Sequence, residues 1–234
     1  MKKKVLFSLT LCAMFVAAVS VFCSCDSKKE AVKVGPYEQT EANGKFGIKD
    51  ADGHVVLAPE YDKLEWRADW DALIADKGDL STIVVNGSVV LDGVDVSSFE
   101  PVEGTEYVYI KSFSESAEGS VVRLWKVKSS YLIGPFNDIK LIGDIVFMNT
   151  NGDWGAATLD HTGLAPRKYE RIIIVKTDKT RAVLVKDKSG WAMFDKDGVS
   201  DGVRYDTPSK VLEKQIKQLG VDGEIAVVDV NWKL

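Results

Sequence analysis

Between Asn43 and Leu64 the chain reads NGKFGIKDADGHVVLAPEYDKL. Two apolar-rich runs of strand length, FGIKD and HVVLAP, are separated by Asp50-Ala51-Asp52-Gly53, whose glycine can take the positive φ that a two-strand reversal demands. The same alternation continues along the chain. ALIAD precedes KGD, KLIGDIVFM precedes NTNGD, RAVLV precedes KDKSG, and EYVYI stands between them. Asn86-Gly87 and Asn151-Gly152 are strong hairpin signals, and Asp195-Lys196-Asp197-Gly198 repeats the first turn. β-Branched runs entering tight turns predict units of three or four short antiparallel strands. One such unit cannot bury its apolar face alone, so neighbouring units must stack or curl together.

The pattern recurs. Phe46 is followed by Tyr61 at a distance of 15 residues, Trp154 by Tyr169 at 15, and Trp191 by Tyr205 at 14. Two weaker copies lie between, KGDLSTIVVNGSVVLDG with Leu80 at the aromatic position and VVRLWKVKSSYLIGPFNDI with Trp125. Taking Phe46, Leu80, Trp125, Trp154 and Trp191 as alignment points gives spacings of 34, 45, 29 and 37 residues, a period with insertions and deletions. The Trp154-Gly155 pair, with Phe46-Gly47 and Trp191-Ala192 as variants, resembles the WG-repeat family over most of residues 36–206. That resemblance implies a repeat architecture and no catalytic residues. The expected fold is all-β, about five degenerate antiparallel β-hairpin repeats forming either a propeller-like ring or a curved repeat sheet. Trp125, Trp154 and Trp191 are expected in its core.

Residues 207–234 change character. Thr207 or Ser209 beside Pro208 is a helix start signal, Val211, Leu212, Ile216 and Leu219 recur at helical spacing, and Gly220 ends the run. GEIAVVDVNWKL then reads as a last strand. This helix and strand are expected to cap the repeats, or the strand to pair with the N-terminal VKVGPYE segment and close the sheet.

The first 24 residues have the basic start, apolar run and small-residue junction of a secretory signal peptide. Ser24 before Cys25 resembles the lipobox of a bacterial lipoprotein signal, which implies cleavage at Cys25, lipid modification of that residue, and a tether over residues 25–35. The chain holds three cysteines, Cys12, Cys23 and Cys25, and cleavage would leave Cys25 alone, so the folded part must rest on its own core without a disulfide. A hydrophobic content of 45% suffices for that. Loss of Lys2, Lys3 and Lys4 would leave 27 basic residues against 35 acidic ones, a net charge of −8. That balance argues against nucleic acid and against electrostatic attachment to anionic lipid, so lipid on Cys25 would be the only hold on the membrane, with the bacterial outer membrane as the expected site.

Candidate chemistry is sparse. Asp50 to Gly53 and Asp195 to Gly198 look like pieces of a calcium loop, but position 12 counted from Asp50 is Tyr61, which cannot supply the closing carboxylate. They read as acidic hairpin turns, and no metal or cofactor is expected. In Tyr61-Asp62, Tyr205-Asp206 and Tyr169-Glu170 the aromatic is expected to pack while the acid accepts hydrogen bonds at a strand end. His54 and His161 each follow a turn, where surface placement is expected. Metalloprotease, P-loop and nucleophile-elbow motifs are absent. Trp66 and Trp70, in the charged stretch LEWRADWDAL, are the candidate binding surface, since exposed tryptophan stacks on sugars and anchors protein contacts. The function expected is a non-catalytic envelope lipoprotein whose repeat surface binds a protein, glycan or envelope component. A self-associating structural component and a glycan-acting hydrolase are the alternatives.

Overall fold

Strands form where the short apolar runs predict them, and tight turns separate them. The computed structural model describes residues 31–176, 181–194, 200, 202–208, 210 and 226–229, and they build five antiparallel sheets. The first sheet holds β1 (Lys33–Val34), β2 (Tyr37–Ala42), β3 (Lys45–Lys49) and β4 (Val55–Tyr61). The second holds β5 (Lys63–Arg67), β6 (Ala72–Lys77), β7 (Leu80–Val85) and β8 (Ser88–Val94). The third holds β9 (Val96–Pro101), β10 (Tyr107–Ser114), β11 (Gly119–Lys126) and β12 (Leu132–Phe136), and the fourth β13 (Asp138–Ile142), β14 (Ile145–Thr150), β15 (Asp153–Thr158) and β16 (Gly163–Tyr169). In these four sheets the strands lie in chain order. The fifth contains β17 (Arg171–Lys176), β18 (Arg181–Asp187) and β19 (Gly190–Phe194), with β20 (Ala226–Asp229) added outside β17. At the pairs Asn43-Gly44, Asn86-Gly87 and Asn151-Gly152 both residues have positive φ, the backbone that a two-residue hairpin with native twist requires.

The spacing of aromatics in the sequence is the strand register. Phe46 pairs with Tyr61, Trp154 with Tyr169, and Trp191 with Tyr205. The same register position is Ser81, paired with Val94, in the second sheet and Val122, paired with Phe136, in the third. Two expectations are corrected by this. Leu80 stands one residue before the aromatic position. Trp125 stands three residues after it and pairs with Leu132, the register place held elsewhere by Lys49, Val84 and Ala157. Its burial is as expected, since Trp125, Trp154 and Trp191 are all buried.

Beyond the aromatic pair, each of the first four sheets breaks register at the same place. Phe46 and Ile48, two residues apart on β3, face Tyr61 and Leu57, four apart on β4. Trp154 and Ala156 face Tyr169 and Ala165 in the same way. The surplus residues bulge over the third strand, so the residue there is crowded. A Cβ on Gly47 would lie 2.5 Å from the Leu57 carbonyl oxygen, and one on Gly155 would lie 2.5 Å from Arg167 Cγ. The third sheet reverses the arrangement. Arg123 occupies the crowded place on β11, and the glycine is Gly134 on β12, whose Cβ would meet the Val122 carbonyl oxygen at 2.9 Å. In the second sheet Thr82 takes the place, and its hydroxyl receives the Gly93 N–H and donates to Asp92.

Apolar clusters join consecutive sheets. Tyr37, Ile48 and Leu57 of the first pack with Leu73, Ala75 and Val84 of the second. Ile74, Ile83 and Leu91 pack with Val108, Ile110 and Trp125 of the third. Val122 and Leu124 meet Ile139 and Leu141 of the fourth, and Phe147, Trp154 and Ala156 meet Ile172, Ile174 and Val183 of the fifth. Hydrogen bonds stitch the same seams. Tyr37 Oη accepts the Gly87 N–H at 2.8 Å, Tyr109 Oη accepts the Leu141 N–H at 2.7 Å, and Tyr131 Oη donates to the Leu159 carbonyl at 3.0 Å. Asp62, the acid after the register tyrosine, accepts from Lys45 Nζ of the first sheet and from the Gly78 N–H of the second. Asn137 does the equivalent between the third and fourth, accepting the Asn151 N–H at 2.8 Å.

Sheet pairing begins at Lys33, inside the segment expected to be tether. β1 pairs with β2, and β20 pairs with β17, Ile173 opposite Asp229. At its described residues the last strand therefore pairs with β17 and not with VKVGPYE, whose β1 is an edge of the first sheet. The signal segment, Cys25 and residues 211–225 of the expected helix lie outside the described residues.

Two outcomes follow. Gly47→Ala should lower stability to urea unfolding by about 1–3 kcal/mol, and by more than Gly155→Ala, because Gly47 meets fixed backbone whereas the Arg167 side chain can swing aside. A Gly47→Ala variant as stable as the parent would contradict the crowding. The Asp62 carboxyl is held below its ordinary value first by the Lys45 hydrogen bond and then by the Gly78 N–H. A carboxyl depressed in the folded state stabilises above its unfolded titration range, and that contribution is lost as pH falls through the folded one. Asp62→Ala should therefore melt below the parent near pH 7, with the gap closing as pH falls below the ordinary carboxylate range. Asp62→Asn, which keeps an acceptor as Asn137 does, should fall between. Melting curves across that range check both, and a gap that stays constant with pH would refute the ionic origin.

Candidate functional site

The crowded place on β11 leads to the site. β11 has the sequence GSVVRLWK, a run of apolar residues interrupted by Arg123. Arg123 pairs with Ile110 and Val121 with Ser112, so Arg123, Ile110 and Ser112 share one face of the third sheet. That face is turned toward the second sheet, whose Ile74, Ile83 and Leu91 pack on Ile110. Arg123 is half-buried there. Its Nη1 donates to Ser112 Oγ at 2.6 Å, and Ser112 is fully buried. Among the described residues no carboxylate lies within ion-pair reach of Arg123. Guanidinium offers five donors, and one neutral hydroxyl leaves most of them unspent inside the protein. Burial pulls its pKa down, yet arginine stays protonated.

Arg123 lines an open cleft of about 830 Å³ between the second and third sheets, within the size range of ligand sites. Leu80, at the start of β7, and Phe113, near the end of β10, also line it. They are 43% and 51% exposed, two of the few large apolar side chains left open to solvent. Asp79, Asp95 and Glu115 stand around the same cleft. Lys77 lines it too, but its charge is engaged by Glu60 at 2.7 Å. A smaller cleft of about 340 Å³ lies across the β10–β11 connection, lined by Phe136, Asn137 and Thr150 among others, and shares Ser114 with the first.

The tryptophans expected to form a binding surface are placed in the seams. Trp70 is 5% exposed, with its ring 5.3 Å from Phe99 and 5.7 Å from Trp125. The neighbouring charge is not a sign of exposure, because the Arg67 guanidinium lies 3.9 Å from the Trp70 ring centroid and roofs it. Trp66 is half-buried, edge-on to Tyr37 at 6.1 Å. It lies so close over Gly35 that a Cβ there would come within 2.2 Å of the indole. Trp70 has too little free surface to stack on a ligand. Its expected exposure is corrected, and both rings hold sheets together.

Acidic groups elsewhere serve turns and braces. Asp50 Oδ1 accepts the Asp52 and His54 N–H groups, and the His54 ring lies 3.3 Å from Asp50 Oδ2. Asp50, Asp52 and His54 could together face a cation, but their hydrogen bonds are those of a hairpin turn. The second acidic turn, residues 195–198, lies outside the described residues. His161 is exposed, with positive φ in the β15–β16 turn, and stacks edge-on to Tyr131 at 5.0 Å. At Glu60, Asp62, Glu100, Asp160 and Asp206 a lysine, a backbone N–H or a hydroxyl hydrogen bond holds the carboxyl below its ordinary value. Such groups are held as carboxylates, the opposite of what a general acid needs.

The sequence pattern marks Leu80 only as an alignment point of the repeat, and marks neither Arg123 nor Phe113. With Trp125 taken as the aromatic position, Arg123 is one more polar residue of a strand. With Val122 in that position, it is a charge where Gly47 and Gly155 stand in other sheets.

No family model matches the chain, and no curated protein matches it. Among solved structures it is similar to Hsv2p of Kluyveromyces lactis, at 13% identity over 73% of this chain and 60% of that one, with a TM-score of 0.26. The chain thus spans less than two thirds of that protein, and a likeness this weak carries no argument.

A charge kept in place for a ligand costs stability. Replacing both partners, Ser112→Ala with Arg123→Met, should therefore raise the urea unfolding free energy by about 0.5–2 kcal/mol. A loss of stability in the double variant would show that Arg123 is needed for folding instead.

Proposed function

We propose that this protein is a non-catalytic binding module of the bacterial envelope, attached through lipid on Cys25 and expected at the outer membrane. In this reading the five sheets are degenerate copies of one unit in a propeller-like succession. Its support is the shared aromatic register, the bulge at one place in four sheets, and core clusters that link each sheet to the next. The observation that carries the binding reading is the cleft between the second and third sheets. Its lining includes a half-buried arginine with no acid partner and two residues, Leu80 and Phe113, that are themselves exposed. Exposed apolar surface next to an unspent donor marks an interaction site, and the site is displaced from the tryptophans to Leu80, Phe113 and Arg123. Carboxylates held ionised by structural hydrogen bonds favour binding over hydrolysis.

Affinity capture from intact envelopes tests this. The full chain should retain partners that a Leu80→Ser, Phe113→Ser variant loses, whereas Trp66→Phe should retain them. Identical capture by all three proteins would remove the cleft from consideration.

A further inference from the structure

We infer that the smaller cleft, where the third and fourth sheets meet beside the β10–β11 connection, is a second binding site and takes a neutral saccharide. This goes beyond the binding-module reading, which rests on the other cleft. The site lies where a charged brace is missing. Between the first and second sheets Glu60, the residue before the register tyrosine, pairs with Lys77, four residues before Ser81 at the aromatic place of the next sheet. Between the third and fourth sheets those two positions are Pro135 and Thr150, which form no ion pair. One residue on, the carboxylate of Asp62 is replaced by the amide of Asn137. Charge closes the first of these junctions. The second keeps an uncharged opening of about 340 Å³, at the small end of the range of ligand sites.

The lining sets the chemistry. Phe136 is half-buried and gives the opening an aromatic wall. The Arg167 guanidinium, 4.7 Å from the ring centroid, steadies it. Such a ring takes the flat C–H face of a pyranose. Polar groups with capacity to spare stand around it. Asn137 Oδ1 is spent on the Asn151 N–H, so its amide nitrogen keeps both donors, unpaired among the described residues. The Asn151 side-chain amide and the Glu118 carboxylate also make no hydrogen bond or ion pair among those residues. Donors and acceptors thus stand together, which suits hydroxyl groups, since each both donates and accepts. Charged ligands are served less well. No lysine, arginine or histidine lines the cleft, and one exposed carboxylate supplies too few oxygens for a metal cation. The Thr150 hydroxyl is enclosed without a hydrogen bond among the described residues, so this corner is not built for stability alone.

The test titrates the full chain, in a detergent that carries no sugar, with cellobiose, maltose and chitobiose, read by saturation-transfer NMR. At least one should bind saturably below about 10 mM. Asn137→Asp keeps an acceptor for the Asn151 N–H, as Asp62 does for Gly78, and removes the two donors. Asn151→Gly suits the positive φ of that turn and removes the amide. Each should weaken that sugar about three- to tenfold, the loss of one neutral hydrogen bond, and Phe136→Leu should weaken it too. If Phe136→Leu does not fold, the two asparagine variants decide. The uronic acid of the same disaccharide should bind no more tightly than the neutral sugar. A hexasaccharide of the same series that binds at least as well identifies a glycan chain as the source, and one that binds less well identifies the free disaccharide; both uphold the assignment. No saturation by any of the three sugars overturns it. So does equal binding by the parent and both asparagine variants, or tighter binding of the uronic acid.

Discussion

Where the fourth strand bulges over the third in the first, third and fourth sheets, two backbones come so close that one of them gives up its side chain. This steric constraint organises much of the rest. It places Gly47 and Gly155 next to the aromatic residue of their strands, sets how far the paired tyrosine lies along the chain, and ends the strand in a position where the following acid reaches the next sheet's turn. Asp62 and Asn137 both do this, one as a carboxylate and one as an amide, so the geometry of the brace is kept while its charge is not. The aromatic, the glycine and the acid are three consequences of one crowded crossing.

The third sheet meets the same constraint from the other side. With the glycine moved to β12, the third strand is free to carry a large residue at the crowded place, and it carries a charged one. The cleft above it opens between the turn that begins β7 and the end of β10. A guanidinium whose one hydrogen-bond partner among the described residues is the Ser112 hydroxyl, on a face shared with Ile110 and Trp125, is costly to keep, and of those residues no acid lies within ion-pair reach of it. Some exposed charges are matched, Lys77 with Glu60, Lys111 with Glu100, Lys186 with Glu170. Those exposed pairs contribute little each.

Much of the fold was legible because turn chemistry and register are local. Asn86-Gly87 and Asn151-Gly152 could be read directly, and the 15-residue interval from Phe46 to Tyr61 is the distance around one hairpin plus two bulged residues. The third sheet was misread because its bulge is one residue shorter and its position after the crossing holds Trp125, so the only tryptophan nearby attracted the alignment. Trp70 was misread for a related reason. Charge beside an aromatic looks like exposure in one dimension, whereas in three Arg67 lies on the ring. The site was not legible at all, since Leu80, Phe113 and Arg123 are brought together only by two sheets meeting, and no local period records that.

The placement of β20 bears on what happens when the chain is damaged. β17 carries the run Ile172-Ile173-Ile174-Val175, buried on both faces, and its outer hydrogen-bonding side is met by a strand that arrives some fifty residues later. Short β-branched runs with an open edge are templates for pairing with other molecules. During synthesis that edge is bare until Ala226–Asp229 emerge, and loss of those residues bares it again. The last strand is thus a guard against aggregation as much as a part of the fifth sheet.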